Sequence, residues 1–247
     1  MSILTNGKTI GTAKIISNDL IPKGASIPGR KLQAIKYITL HNTGLVDVKA
    51  NNFHRSLKRE NALKNGRQAS WTFSVDDIEI YQEVPTSWET WHSGTSTGNK
   101  NSISIEMCMW SDKEKQRKTY NNAAKLVVEL MRLHNISIDN VKQHYDWFKK
   151  NCPQYLRENK HGFNWSWFMN LVKVELGQAN LQAIKPESFK VKITADVLNV
   201  RTGPSTKYTI TTTVKKNEVY TIVDVINGWG RLKSGAGYIN LGYTKKC

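Results

Sequence analysis

Ile103-Ser104-Ile105-Glu106-Met107, followed by Ser111-Asp112 and then by the striped run from Tyr120 to Met131, is the stretch on which the fold turns. Ile103, Ile105 and Met107 alternate with Ser104 and Glu106, the period of a β-strand whose second face carries a carboxylate. Ser111 or Asp112 can cap a helix that reaches about His134. Its apolar positions, Tyr120, Ala123, Ala124, Val127, Leu130 and Met131, recur at helical spacing. Working outward, Ile35–Leu40 is a short apolar run ending at His41 and reads as a central strand. Asp47–Asn65 is polar but has Phe53 and Leu57 at helical spacing. Trp71–Val75 and Ile78–Val84 flank Asp76-Asp77 as a hairpin. Trp167–Leu176 is a helical pattern that Gly177 ends in the manner of a C-cap. Strands alternating with helices predict an α/β fold, a sheet packed by helices.

The pattern changes near residue 180. Gln178–Ser188 is polar, contains Pro186 and reads as a linker between residues 1–177 and a tail, 189–247. The tail has short β-favouring runs at Val191–Val200, Tyr208–Val214, Val219–Ile226, Gly230–Leu232 and Gly237–Leu241, with turn signals between them and no helical period. That spacing predicts a small all-β barrel or sandwich.

The 247 residues are 39% hydrophobic and 23% charged, which excludes collagen, mucin and bulk disorder. No apolar run nears the roughly 18 residues of a membrane span; the longest, Leu126–Met131, is interrupted by Glu129. Met1–Leu20 is broken by Lys8, Lys14 and Asp19, so the expectation is synthesis in a host cytoplasm without a signal peptide. Cys108, Cys152 and Cys247 are odd in number and far apart, which argues against a disulfide framework. Lys plus Arg number 36 and Asp plus Glu 20, a net charge of +16 that draws the protein to polyanions. The last 70 residues carry +7 of it. No nucleic-acid-binding motif accompanies the charge. Gly94–Lys100 is glycine-rich but lacks the Gly-Lys-Ser/Thr of a phosphate loop.

Chemistry-bearing residues gather at His41, in Thr39-Leu40-His41-Asn42-Thr43-Gly44, and at His144 and Cys152, in His144-Tyr145-Asp146-Trp147-Phe148-Lys149-Lys150-Asn151-Cys152-Pro153. Two imidazoles and a thiolate are a zinc-favouring set, and three protein ligands leave one position open for chemistry. The spacing matches neither a zinc finger nor an H-E-x-x-H helix. General rules therefore leave open whether each residue is a ligand or an ordinary core or surface residue.

Five blocks occur in order: His41-Asn42-Thr43-Gly44, Ala69–Asp77, Trp91-His92-Ser93-Gly94, Asn101–Glu106, and Lys142–Trp147 with Lys150–Pro153. Together they resemble the zinc-dependent N-acetylmuramoyl-L-alanine amidases of phage endolysins and bacterial autolysins, over about residues 30–175. The resemblance implies a mixed central sheet flanked by helices. It implies Zn2+ on His41, His144 and Cys152, and catalytic roles for Glu106 and Lys150. By their own positions, Glu106 could equally be a solvated strand residue and Lys149-Lys150 a solvated pair. Relatives carry Trp-His-Phe where this chain has Trp71-Thr72-Phe73, which implies altered substrate contacts at Trp71 and Thr72. His92 is placed either to line the substrate groove or as a structural histidine. His54, His134 and His161 read as surface residues, Cys108 as a small buried hydrophobe and Cys247 as an exposed terminal residue.

The tail, with Leu198–Ser205, Asn227-Gly228-Trp229 and Gly237-Tyr238-Ile239, resembles a bacterial SH3-like cell-wall-binding domain over about residues 189–245. Tyr208, Trp229, Tyr238 and Tyr243 are groove candidates, with Trp229 equally suited to the core. The implied partners are bacterial peptidoglycan and anionic wall polymers, without nucleic acid or membrane insertion. Some zinc-less relatives bind muropeptide without cutting it, and a non-catalytic peptidoglycan-recognition module is the alternative reading.

Overall fold

The computed structural model describes residues 3–183, 188–226 and 228–247. Part of the expected linker, with Pro186, and Asn227 of one expected turn lie outside the described residues. Two compact units divide the chain, Met1–Leu176 and Gly177–Cys247.

The elements run β1 (Thr9–Ile10), β2 (Ala13–Ile16), β3 (Tyr37–Val46), α1 (Ala50–Ala62), β4 (Phe73–Val75), β5 (Glu79–Gln82), α2 (Ser96–Asn101), β6 (Ser102–Met109), α3 (Lys113–His134), β7 (Val141–Gln143), α4 (His144–Phe148), α5 (Gln154–Arg157) and α6 (Trp165–Ala183). The sheet order is β1-β2-β5-β4-β6-β3-β7. Strand β6 lies parallel to β3 and β4, β3 lies parallel to β7, and β4–β5 is an antiparallel hairpin, so the sheet is mixed. Asp76 Oδ1 accepts the N–H groups of Ile78 and Glu79 at 2.8 and 2.6 Å and so shapes that hairpin's turn.

Strand β6 sorts the two faces. Cys108 joins a buried cluster with Ala50, Phe53 and Leu57 of α1, together with Trp71, Tyr81 and Trp110. Ile103, Ile105 and Met107 point the other way by alternation, and the stripe of α3 is buried with them. Asp112 caps α3, its side chain accepting the Lys115 N–H at 2.8 Å.

Two boundaries differ from expectation. Strand β3 does not end at His41 but continues to Val46, with its pairing to β6 shifted between Asn42 and Val46. Gly44, at φ +80°, supplies the backbone freedom for that irregularity. Helix α6 does not stop at Gly177 but runs to Ala183. A C-cap needs a left-handed residue, and Gly177 is not one. Within a helix glycine costs only about 1 kcal/mol relative to alanine, too little to break it.

The second unit comprises β8 (Phe189–Ile193), β9 (Val197–Arg201), β10 (Ile210–Lys215), β11 (Val219–Ile226), β12 (Trp229–Leu232), β13 (Tyr238–Asn240) and β14 (Thr244–Lys246). Its order is β10-β9-β13-β12-β11-β8-β14, with antiparallel pairing at every step. Val191, Ile193, Leu198, Val200, Val214, Ile222, Leu232 and Ile239 form one core. The run Val191–Val200 breaks into two strands at Thr194–Asp196, and a 3-10 turn, Leu241–Tyr243, adds a helical piece that the sequence did not signal. Among the described residues no helix is long and apolar enough to cross a membrane.

Candidate active site and metal centre

Parallel register builds the site. His41 of β3 sits directly beside Glu106 of β6, and Ser74 of β4 beside Glu106 on its other side. Leu40 pairs with Gln143 at the end of β7, so the next residue, His144, opens α4 beside His41. Asp146 fixes that entry by accepting the Gln143 N–H at 2.8 Å. Beyond α4 the chain doubles back through Lys149, a left-handed residue at φ 56°, and Tyr145 N–H donates to the Cys152 carbonyl at 3.0 Å. This return brings Cys152 alongside His144 despite the loop between them.

The three side chains converge. His41 Nδ1 lies 3.1 Å from His144 Nδ1 and 3.8 Å from Cys152 Sγ, and the three ligand atoms all fall within 4.8 Å of one another. All three residues are buried. A tetrahedral ion with metal–nitrogen bonds of about 2.0–2.1 Å and a metal–sulfur bond of about 2.3 Å spaces two nitrogens about 3.3 Å apart, and nitrogen from sulfur about 3.6 Å. The observed spacing fits such an ion, and the donors are those zinc favours.

Burial sets the protonation states. His41 is held well below its usual pKa by burial first, then by His92, His144 and Lys150. Burial and Lys150 lower His144 to about 4, and burial and His144 lower His92 to about 3. The imidazoles are therefore neutral at pH 7, as ligands must be. Burial, then Glu106, pushes the Cys152 thiol up to about 12, so this thiol gives up its proton only to a metal. The N–H of Asn42 points at its sulfur at 3.5 Å. Burial raises Glu106 to about 8 against the opposing charges of Lys150 and Arg67. Its Oε2 is buried without a hydrogen-bond partner, an orphan that calls for a functional reason.

These groups form the floor of a cleft of about 550 Å³ walled by Trp71, Trp91, Arg67 and Lys150. The sequence matches the N-acetylmuramoyl-L-alanine amidase family over residues 31–155, half of the chain. The chain belongs to that amidase family. Residues 196–245 match the bacterial SH3 domain family. The chain is 40% identical over 152 residues to the N-acetylmuramoyl-L-alanine amidase XlyA of Bacillus subtilis, covering 60% of this chain and 49% of XlyA. To the amidase CwlH of the same organism it is 34% identical over 160 residues, covering 63% and 57%. It thus spans about half the length of these curated relatives. A solved mutant endolysin from Bacillus subtilis superposes with a TM-score of 0.56 at 36% identity, over 65% of this chain and 99% of that one.

Within the first unit, His41, His144, Cys152, Glu106, Lys150, Trp71 and His92 all line the cleft. Thr72 does not. It is fully buried just before β4, where its N–H donates to Ser104 Oγ at 3.0 Å. His54 is also not the surface residue the sequence suggests. It is buried, with Nδ1 2.7 Å from Glu83 and Nε2 3.1 Å from Asp19. The lone histidine in a polar segment gave no sign of these partners, which lie 29 and 35 residues away. Asn42 and Arg67 were likewise not singled out, although Asn42 adjoins His41 in its motif. Cys108 is buried and Cys247 exposed, as expected. In the second unit Trp229 is buried in the core, whereas Tyr208 and Tyr243 are exposed.

Proposed function

We propose that this protein is a zinc hydrolase that cuts the amide bond between N-acetylmuramic acid and L-alanine in bacterial peptidoglycan, as a cell-wall lytic endolysin or autolysin. The observation that carries the reading is the convergence of His41 Nδ1, His144 Nδ1 and Cys152 Sγ on a cleft floor beside the orphaned carboxylate of Glu106. Residues 1–177 are the catalytic domain, 178–188 the connection, and 189–247 the SH3-like wall-binding domain.

Zn2+ held by His41, His144 and Cys152 supplies Lewis acidity toward the scissile carbonyl and acidifies attacking water. Glu106 is the general base. It takes a proton from water as the carbon–oxygen bond forms, then delivers it to the alanine nitrogen as the carbon–nitrogen bond breaks. The ammonium of Lys150, exposed at the cleft wall, compensates the charge that develops on the carbonyl oxygen. Trp71 and His92 contact the substrate along the wall, and Thr72, just before β4, acts only through its neighbours Trp71 and Phe73. In the SH3-like domain Tyr208 and Tyr243 offer exposed rings to wall peptide, and the tail's positive charge suits anionic wall polymers. Tethering raises the catalytic domain's effective concentration at the wall.

Digestion of purified peptidoglycan tests this. New free alanine amines without new reducing sugar ends are expected, lost on chelation and restored by Zn2+. Binding to walls with no amine release makes the protein a recognition module instead.

A further inference from the structure

His92 stands against His41 in a way that lining a cleft does not require. His41 Nε2 lies 3.0 Å from His92 Nδ1, with the rings edge to face at 90°. Only one of two facing imidazole nitrogens can carry the shared proton. The other nitrogen of His41, Nδ1, faces His144 Nδ1 and Cys152 Sγ. A ligand atom must present a lone pair, so the proton of His41 sits on Nε2, and His92 Nδ1 accepts it. The proton of His92 then sits on Nε2, which is buried and makes no hydrogen bond within the protein.

The loop holding His92 is itself clamped. The N–H groups of His92 and Ser93 both donate to Asn99 Oδ1 of α2, at 3.0 and 2.8 Å, and Ser93 Oγ donates to the same oxygen at 2.9 Å. A Cβ on Gly98 would meet Ser93 Oγ at 2.3 Å, so the loop packs directly on the α2 backbone.

We infer that His92 is a positioning residue for the metal centre, accepting the Nε2–H of His41 and so holding His41 in the tautomer that presents Nδ1 as a ligand. The inference rests on the metal-binding reading above. Partners of this kind are worth about 10–100-fold in metal affinity.

The test is the Zn2+ affinity of the full chain, measured by competition with a chromophoric chelator for the wild type, His92→Leu and His92→Asn. His92→Leu weakens Zn2+ binding by about 10–100-fold, and His92→Asn, whose Oδ1 can accept in place of Nδ1, restores most of it. A folded His92→Leu that binds Zn2+ as tightly as the wild type overturns the inference and leaves the metal reading standing. A wild type that takes up no Zn2+ overturns both. Nitrogen-15 shifts of the Zn2+-loaded wild type decide the matter without any variant. They place the His92 proton on Nε2 if the inference holds, and on Nδ1 if it fails.

Discussion

Histidines at two places in one unit shift their pKa values in opposite directions. His41, His92 and His144 meet at the cleft, where each has burial as its strongest influence and is pushed down in pKa. His54 meets the same influence, yet its pKa is raised. Burial alone lowers it, but hydrogen bonds and charge from Glu83 and Asp19 outweigh that. The carboxylates decide the outcome. In the cleft the charges that face the imidazoles are other imidazoles and Lys150, which leave them neutral and able to bind metal. At His54 both ring nitrogens face carboxylate oxygens, which favour the protonated ring. Burial therefore does not make a histidine a ligand; the convergence of His41, His144 and Cys152 donor atoms on one point does.

The contrast is broken most severely at Cys152. Cys152→Ser removes the soft donor and leaves two neutral imidazoles. The expected outcome is loss of tightly held Zn2+ and of wall hydrolysis with the fold retained, checked by metal analysis, amine release and circular dichroism. A variant that keeps stoichiometric zinc and full activity removes Cys152 from the centre. Next comes Glu106→Gln. It keeps the shape of the side chain and the three metal donors but cannot take a proton. Amine release should fall by about 10²–10⁴-fold, with zinc content unchanged. Full activity would strip Glu106 of its role as base.

Much of this was legible in the sequence, for a physical reason. Strand periodicity put Glu106 on the face opposite Ile103 and Ile105, and the parallel register with β3 then required His41 beside it. The helix stripe from Tyr120 to Met131 is buried throughout. What the sequence hid depends on contacts between distant segments. Thr72 was expected among the substrate contacts because relatives carry a histidine at that position, but it lies fully buried against Ser104 and does not line the cleft. His54 had no local sign of Glu83. Gly177 carried the chemistry of a cap without the left-handed backbone that makes one.

The second histidine group gives a smaller effect of another kind. His54→Leu leaves Glu83, fully buried and bonded to Ser74 Oγ at 2.6 Å, without its cation. Breaking a buried pair in this way costs about 3–5 kcal/mol. The loss should appear in denaturant unfolding of the metal-free chain, while Zn2+ affinity in the folded variant stays that of the wild type. Weakened Zn2+ binding would mean that the two groups are coupled through Trp71, whose Nε1 donates to Ser74 Oγ at 2.7 Å.

The finest distinction lies in the pH dependence of stability. His54 has a folded pKa above its ordinary 6.5, and Glu83 above its ordinary 4.5, the latter because burial outweighs the bonds from His54 and Ser74. In both cases the folded chain binds more protons than the unfolded one, so stability falls as pH rises through the folded values. The contribution of His54 is complete below 6.5 and is lost above it. The charges facing the pair are Asp19, itself lowered by Lys58, and Lys58 at the surface. The comparison that isolates the pair is the wild type against His54→Gln/Glu83→Gln, both metal-free, because Glu106 and the cleft histidines titrate identically in the two proteins. The wild type's advantage should shrink steadily between pH 6 and pH 9, a range that begins just below the ordinary histidine value. An advantage that holds constant or grows over that range would mean that His54 is neutral in the folded protein, and then the two groups of histidine would differ in geometry alone.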